Sequence, residues 1–247
     1  MSRWKAAGIH FCASMVIFLV LLTVIMQRWY PGMLFTIDGG WSGLRLVLGV
    51  DLMVGPLLTL IVFKSGKPGL KFDLSCIVVF QASCMLAGVS VVYGERPIAL
   101  VLAYDTLYSI AAKEFESFEK DPTILGSFPG SYPKLIYVEL PESEVAASIA
   151  NVRSQFIGDP LYTQTENYRA MPNNYSEAVA VYRREGAQRS SAPDEIRNSL
   201  DESCLFSKFI SSVTDGFVCL DASNGEISEF FETEEQSPEI LLETPGG

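Results

Sequence analysis

The sequence predicts an integral membrane protein with three N-terminal transmembrane α-helices, followed by an α+β periplasmic domain that ends in a C-terminal β-meander. Long apolar runs fill the first 93 residues. The balance of charge reverses after Tyr93. Signals for hairpin turns stand close to the C-terminal end of the chain.

The apolar runs cover residues 4–25, 44–63 and 74–93. A helix needs about 20 apolar residues to cross the hydrocarbon core of a bilayer. Each run meets that requirement, so residues 1–93 are predicted to form a three-span transmembrane domain. The first run is longer than the apolar core of a cleaved signal peptide. We therefore expect it to be retained as a signal anchor.

The positions of the Lys and Arg residues predict the topology. Arg3 and Lys5 precede the first run, and the loop KSGKPGLK between the second and third runs carries three lysines. Positively charged loops stay in the cytoplasm. The N-terminus and the lysine loop are therefore predicted to be cytoplasmic. The chain after Tyr93 is then predicted to lie outside the inner membrane, which in a Gram-negative bacterium means the periplasm.

Residues 94–231 are predicted to form the exported domain. From residue 94 onwards, 26 Asp and Glu face 11 Lys and Arg, a net charge of −15, whereas the first 93 residues carry +4. A domain this acidic does not bind nucleic acid through its phosphates. Its surface confers solubility or attracts a basic partner.

Local patterns predict the elements of this domain. PIALVLAY and KLIYVEL are predicted to be strands. A helix is expected to start at Asp105 or Thr106, because apolar residues recur there at helical spacing: Leu107, Ile110, Ala111, Phe115 and Phe118. A second helix carries Val145, Ile149, Val152 and Phe156 at similar spacing, and a short one covers residues 176–185. Residues 187–194 are predicted to be an exposed loop.

Residues 206–231 are predicted to form the meander, with turns at Asp215-Gly216 and Asn224-Gly225. Residues 232–247 are acidic and are predicted to be a mobile tail. Cys204 and Cys219 are the cysteines of the exported domain, and an oxidising compartment would permit a disulfide between them. The predicted turn places Cys219 opposite Ser212, so this pairing stays open.

The residue types exclude several kinds of chemistry. His10 is the single histidine and lies in an apolar run, so the exported domain lacks a Ser-His-Asp triad and a histidine zinc site. No nucleotide-binding glycine motif occurs, and no pair of carboxylates is singled out by spacing. We expect no catalytic residue, no metal and no cofactor.

Asp51 lies inside the second apolar run, where an ionisable group is costly and suggests a function. Three interpretations are open. The carboxyl could hydrogen-bond a Ser or Gln of a neighbouring helix and fix the bundle. It could pair with a span of another protein, or serve as a membrane-embedded acid. His10 and Gln81 lie at similar depth, so a contact between them is expected.

The stretch RWYPGMLFTIDGGW and the following GLRLVLGVDLMVGPLLTLIVFKSGKPGLKFDLS resemble the type IV pilin accessory proteins, the TfpX/TfpZ-like family. In that family a WYPGPLF-like word, GGW, a VDLxxGPLLTLxVF span and a KPxLxxDL loop occur in this order. Met33 stands where the family has Pro. The resemblance covers about residues 4–110. Its words fall on Trp29, Tyr30, Pro31, Gly32, Asp38, Gly39, Gly40, Trp41, Asp51, Gly55, Pro56, Lys67, Pro68 and Asp73.

The resemblance implies a non-enzymatic inner-membrane protein that assists assembly of a cognate type IV pilin into pili. Its expected partners are the membrane helix and periplasmic head of the major pilin, and other inner-membrane pilus assembly proteins. The family carries no known catalytic residue to transfer. The alternatives are a small membrane enzyme or transporter that uses Asp51, and an assembly factor or sensor for another envelope machine.

Overall fold

The computed structural model describes residues 2–139, 143–172, 175–184, 204–221 and 224–232. The predicted loop at 187–194 and residues 233–247 of the predicted tail lie outside these ranges. Within them, the α-helices are α1 Arg3–Val24, α2 Leu34–Ile37, α3 Gly40–Leu48, α4 Gly55–Val62, α5 Leu70–Gly94, α6 Ala112–Ser117, α7 Glu144–Val152 and α8 Tyr175–Arg184. The strands are β1 Pro97–Ala103, β2 Thr106–Ala111, β3 Lys134–Val138, β4 Tyr168–Ala170, β5 Cys204–Ile210, β6 Asp215–Asp221 and β7 Ile227–Glu232.

Among the described residues, two helices are long and apolar enough to cross a membrane, judged by length and composition. They are Arg3–Trp29, which is α1 with the π-helical turn after it, and Leu70–Gly94. The middle run is helical but broken by a π-helical turn at Gly49–Val54. Its apolar helix, Asp51–Val62, is shorter. The N-terminal helices of the predicted fold are therefore present, and the third span stays a prediction.

Close approach between the helices depends on glycine. A Cβ atom on Gly43 of α3 would lie 2.3 Å from Cγ2 of Val92 on α5. A Cβ atom on Gly55 of α4 would lie 1.9 Å from Nε2 of Gln81 on α5. Small residues at crossings let helix backbones approach closely, which is how helices associate without a hydrophobic driving force.

The C-terminal part of the chain is built on a mixed sheet, which has seven strands within the described residues, in the order β4-β3-β1-β2-β5-β6-β7. β1 pairs in parallel with β3, β2 pairs in parallel with β5, and the other neighbours are antiparallel. Every residue of β1 is buried, as expected for a strand covered on both faces.

The helix predicted to start at Asp105 or Thr106 is wrong in its first half. The chain turns at Tyr104, which has a φ of 56°, and Thr106–Ala111 forms β2 against β1. Leu107 and Ile110 sit three residues apart, a spacing that fits one helix face as well as opposite faces of a strand. Pairing with the buried β1 decides between these readings, and the helix α6 begins only at Ala112.

The C-terminal meander is present as β5, β6 and β7, but its first turn is displaced. The chain turns at Ser211–Thr214, and Gly216 lies within β6. A Cβ atom on Gly216 would lie 2.5 Å from the carbonyl oxygen of Phe231, so the glycine serves strand packing. In this register Cys219 lies opposite Phe206, not Ser212, and a disulfide joins it to Cys204.

The two faces of the sheet have separate cores. On one face, α6, α7 and the loops around them cover Val101, Ile110 and Ile136. On the other face, Leu102, Leu107 and Phe209 share one core with residues that precede the sheet by many positions. These are Ile25, Tyr30, Leu34, Ile37, Leu44 and Val92. One apolar core therefore runs from the N-terminal helices to the sheet.

Replacing Gly43 by Ala tests the contact between α3 and α5. Val92 is 3% exposed and cannot withdraw from the added methyl group. We expect Gly43→Ala to destabilise the protein by about 1–3 kcal/mol, the usual cost of overpacking. Gly49→Ala is the matched control, because a Cβ atom there meets nothing within 4 Å. Thermal unfolding of the full chain in detergent measures both, and equal melting temperatures would contradict the close contact.

Candidate functional site: the loop between α1 and α3

The residues of the RWYPGMLFTIDGGW stretch form a compact loop. The π-helical turn after α1 ends at Trp29, the chain turns at Pro31-Gly32, and the short α2 brings it back to α3. Gly32 has a φ of 61° and Gly39 a φ of 85°. Glycine adopts this left-handed conformation without the steric cost that a side chain adds. The two glycines therefore allow the reversals that keep the loop short.

The first half of the loop packs on the end of α5. The rings of Trp29 and Tyr93 meet edge to face, with centroids 5.2 Å apart. The buried Tyr30 donates a hydrogen bond from its hydroxyl to the carbonyl oxygen of Val92, over 3.2 Å. Burial raises the pKa of Tyr30, so its hydroxyl stays a donor. These contacts tie the end of the first helix to the point where the chain enters the sheet.

The second half of the loop reaches the sheet itself. The side chain of Asp38 is buried and accepts a hydrogen bond from Ser109 Oγ on β2, over 2.5 Å. Ser211, in the turn between β5 and β6, also hydrogen-bonds this carboxyl. A Cβ atom on Gly39 would lie 3.1 Å from Cγ2 of Val213 in the same turn. Asp38 and Gly39 therefore dock the loop onto two neighbouring strands.

Burial raises the pKa of Asp38 to about 6. The hydrogen bonds from Ser109 and Ser211 oppose this rise, and the nearby Glu114 adds to it. A carboxyl inside the core is favoured in its neutral form, because the charged form loses its hydration there.

Gly40 and Trp41 begin the next helix. A Cβ atom on Gly40 would lie 2.9 Å from the carbonyl oxygen of Phe35, so a larger residue would open the loop. Trp41 is 46% exposed, its ring lies edge-on to Phe35, and the guanidinium of Arg45 stands 5.3 Å from the ring centroid. Among the loop residues it is a large apolar side chain that a partner can reach.

Pro31 and Gly32 form one wall of a cleft of about 220 Å³ on the same face of the sheet. The floor is apolar and includes Leu100, Leu135 and Leu220. The opposite walls are the 129–133 loop and the 224–227 turn. Lys134 fixes the first of these by donating to the carbonyl oxygens of Phe128, over 2.9 Å, and Gly130. The cleft is therefore bounded by the N-terminal loop and by the sheet domain together.

Asp51 lies in a separate polar cluster among the helices. It is 8% exposed, and Gln81 on α5 donates from Nε2 to its main-chain oxygen over 3.4 Å. Within the described residues, Asp51 Oδ1 and Gln81 Oε1 are buried side-chain atoms that lack a hydrogen-bond partner. Gly55 closes on Gln81, and Pro56 opens α4 directly after the π-helical turn. The expected His10–Gln81 contact is wrong, because His10 Nδ1 pairs with Thr59 Oγ1 at 2.6 Å.

The structure thus separates the residues that the sequence grouped together. Trp29, Tyr30, Asp38, Gly39 and Gly40 join the loop to α5 and the sheet, while Asp51, Gly55 and Pro56 lie between the helices. Sequence reasoning missed the partners Ser109, Ser211, Val92 and Val213, since nothing local marks them. In the part of the chain that the structure describes, no group of three His, Cys, Asp or Glu side chains is placed to hold a metal.

Asp38→Asn tests the buried carboxyl. A folded-state pKa of about 6 against an ordinary 3.8 means that Asp38 contributes stability below about pH 4, which is lost as the pH rises through 6. The full effect is about 3 kcal/mol. Asp38→Asn should lack this part of the pH dependence. On going from pH 4 to pH 7, the melting temperature of the variant should rise by about 6–12 °C relative to that of the wild type.

The measurement is thermal unfolding of the full chain in detergent between pH 4 and pH 7. Asp215→Asn, at an exposed position, is the control and should keep the slope of the wild type. If the melting temperatures of Asp38→Asn and the wild type changed in parallel with pH, this would contradict a buried carboxyl where the loop contacts the sheet.

Comparison with known proteins identifies relatives for part of the chain. It is 37% identical over 106 residues to the fimbrial assembly protein of serogroup E1 from Dichelobacter nodosus, across 42% of this chain and 41% of that protein. It is 35% identical over 106 residues to the fimbrial assembly protein of serogroups C1 and C2 from the same bacterium, across 80% of that protein. The protein of serogroup I matches at 35% identity and 41% coverage.

No protein-family model and no solved structure matches the chain. The matched segment spans about two fifths of the serogroup E1 and I proteins, and most of the protein of serogroups C1 and C2. At this identity and coverage, the chain belongs to the family of fimbrial assembly proteins.

Proposed function

We propose that this chain is a non-enzymatic inner-membrane accessory protein that assists assembly of its cognate type IV pilin, by contacting the pilin before it enters the fibre. The relatives' role in fimbrial assembly supports the general assignment. The order of the WYPG, GGW, VDL and KPGL words supports the narrower TfpX/TfpZ-like assignment.

The proposed topology has three spans, with the N-terminus in the cytoplasm and the sheet domain in the periplasm. Two of the helices have spanning length and composition. The run between them, Gly40–Val62, is helical throughout if the π-helical turn is included. Large apolar side chains on all three segments are exposed, among them Leu19, Ile61 and Val79. Such side chains suit contact with lipid.

One structural feature supports contact with a pilin most directly: the helices and the sheet share a single core through the loop. A pilin in the inner membrane has a helix in the bilayer and a head outside it. A partner that holds its own helices and exported domain in a fixed relation can contact both parts at once. Two linked weak contacts act at high effective concentration, so neither has to be tight.

The exposed members of the site are the ones that we assign to the pilin. Trp41 would meet the pilin near the membrane surface, and the cleft beside Pro31 and Gly32 would face its head. Asp51 is too buried for direct contact in this arrangement. We assign it a positioning role, in which it sets the packing of the helices that the pilin helix meets.

Deleting the gene in the native host tests the role. We expect surface pilin to fall while total cellular pilin stays constant, because assembly is affected and synthesis is not. The gene should restore surface pilin only together with its own pilin. Normal surface pilin and twitching in the deletion strain would contradict the proposal. A titratable enzymatic or transport activity that is lost in Asp51→Asn at normal protein level would instead favour a membrane enzyme or transporter.

A photo-reactive amino acid at position 41 tests the contact. We expect it to capture pilin in the membrane of the native host. The same group at Tyr104, an exposed aromatic on the β1–β2 turn, is the control and should capture none. Equal capture at both positions, or none at position 41 in a strain that assembles pili, would contradict the assigned surface.

A further inference from the structure

The outer surface of α7 carries an apolar stripe that no described part of the chain covers. Val145, Ile149 and Val152 lie on α7, and Phe156 lies on the π-helical turn Arg153–Ile157 that continues it. Val145 is 71% exposed and Phe156 is 78% exposed. The helix contacts the core of the sheet through the small Ala150 instead.

The spacing of the stripe is that of a seam between helices. Its residues follow one another at intervals of four, three and four, the alternation of a coiled coil. A helix on the surface of a domain normally turns such a stripe towards its own core. Here the stripe faces outwards, and a contiguous exposed apolar surface usually marks an interface.

We propose that this stripe binds the same stripe of a second copy of the chain, with the two α7 helices antiparallel. A two-fold axis between residues 150 and 151 sets Val145 opposite Phe156 of the other copy and Ile149 opposite Val152. Each end of the seam then pairs a valine with a phenylalanine, and the centre pairs an isoleucine with a valine. A two-fold interface requires this self-complementarity.

The stripe itself carries little of the negative charge of the domain. The exported part has a net charge of −15, so most of its surface repels a like domain. From Val145 to Ile157 the sequence has one charged residue, Arg153. Arg153 forms ion pairs with Asp159 and Glu166, which compensate it within the chain. The stripe is therefore a surface on which two copies approach without strong repulsion.

The size of the seam sets the strength of the contact. From Val145 to Phe156 the stripe is about 16 Å long at the helical rise, whereas stable interfaces use about 20–30 residues on each side. The seam supplies five apolar residues per copy, counting Ile157. The dimer is therefore weak in dilute detergent. It gains strength where two copies are held in the same membrane, since confinement raises their effective concentration.

Cysteine cross-linking of the full chain in native membranes tests the register. In a background with the free Cys12, Cys76 and Cys84 replaced by Ser, two differently tagged copies carry Val145→Cys and Phe156→Cys. A short bifunctional maleimide should join this pair. Two copies that both carry Val145→Cys should stay separate, because the antiparallel seam holds these positions 11 residues apart along the helix, about 16 Å. The reverse result would overturn the antiparallel arrangement.

Phe156→Asp tests the stripe by charge. Two tagged copies are first joined by an amine-reactive cross-linker in native membranes, before solubilisation, and are then co-purified. The yield of joined copies should fall at least tenfold in Phe156→Asp. The protein level should stay unchanged, because the Phe156 side chain is 78% exposed and contributes little to the fold of one copy. Ile124→Asp, at a partly exposed apolar position outside the stripe, should co-purify as the wild type does. Absence of co-purification in the wild type would overturn the proposal. It would also be overturned if Phe156→Asp lowered capture of pilin and left self-association intact, since the stripe would then bind the pilin.

Discussion

A single apolar core links the N-terminal helices to the sheet, and the loop from Trp29 to Trp41 is what makes it continuous. Tyr30, Leu34 and Ile37 fill the space between the end of the first helix and one face of the sheet. Together with Met171, Ala178 and Val181 they share a core with Leu102, Leu107 and Phe209 on that face. Burying an apolar side chain of this size contributes about 1.5–3 kcal/mol. The sheet domain therefore gains stability from a segment that precedes α3.

Polar contacts fix the position of this loop against α5 and the sheet. Tyr30 and Asp38 place single hydrogen-bonding groups inside the core, and each finds its partner on a different element. A buried polar group is costly when it lacks a partner, so these hydrogen bonds favour the position of the loop in which both residues are paired. Glycines at positions 39, 40 and 43 allow the close approach that this position requires. The unusual composition of the loop follows from these geometric demands, beyond any tendency of Trp and Tyr to lie at a membrane surface.

Much of the architecture is readable from the chain, and the exceptions have physical causes. Apolar runs and hairpin signals depend on neighbours in sequence, so the N-terminal helices and the meander are predictable. The local pattern of β2 predicts a helix, because only its pairing with β1 makes it a strand. The local pattern also places the first hairpin turn wrongly, because Gly216 allows the close approach of Phe230 and Phe231 and does not form a turn. The stripe on α7 has the correct period, but period alone does not say whether a helix face meets its own core or another chain.

The same limit applies to the candidate site. The pattern of uncommon residues marks Asp38 and the glycines as special, yet their partners Ser109 and Val213 are ordinary residues far along the chain. Only the fold brings them together. Five of the residues singled out by resemblance therefore connect the helices to the sheet. In the proposed topology, this fixed connection would let the protein present one surface in the membrane and another outside it.

The most direct test of this account is the distance between the helices and the sheet in a lipid nanodisc. Spin labels at Lys64, between α4 and α5, and at Glu229, on β7, report it by pulsed electron resonance. Labels at Asp105 and Glu229 give the width of the distance distribution within the sheet domain alone, as a reference. For the Lys64–Glu229 pair we predict a single peak with a distribution as narrow as the reference, because one core holds the helices and the sheet together. A broad distribution for the Lys64–Glu229 pair, beside a narrow reference, would show that the sheet moves freely on its helices and would contradict the account.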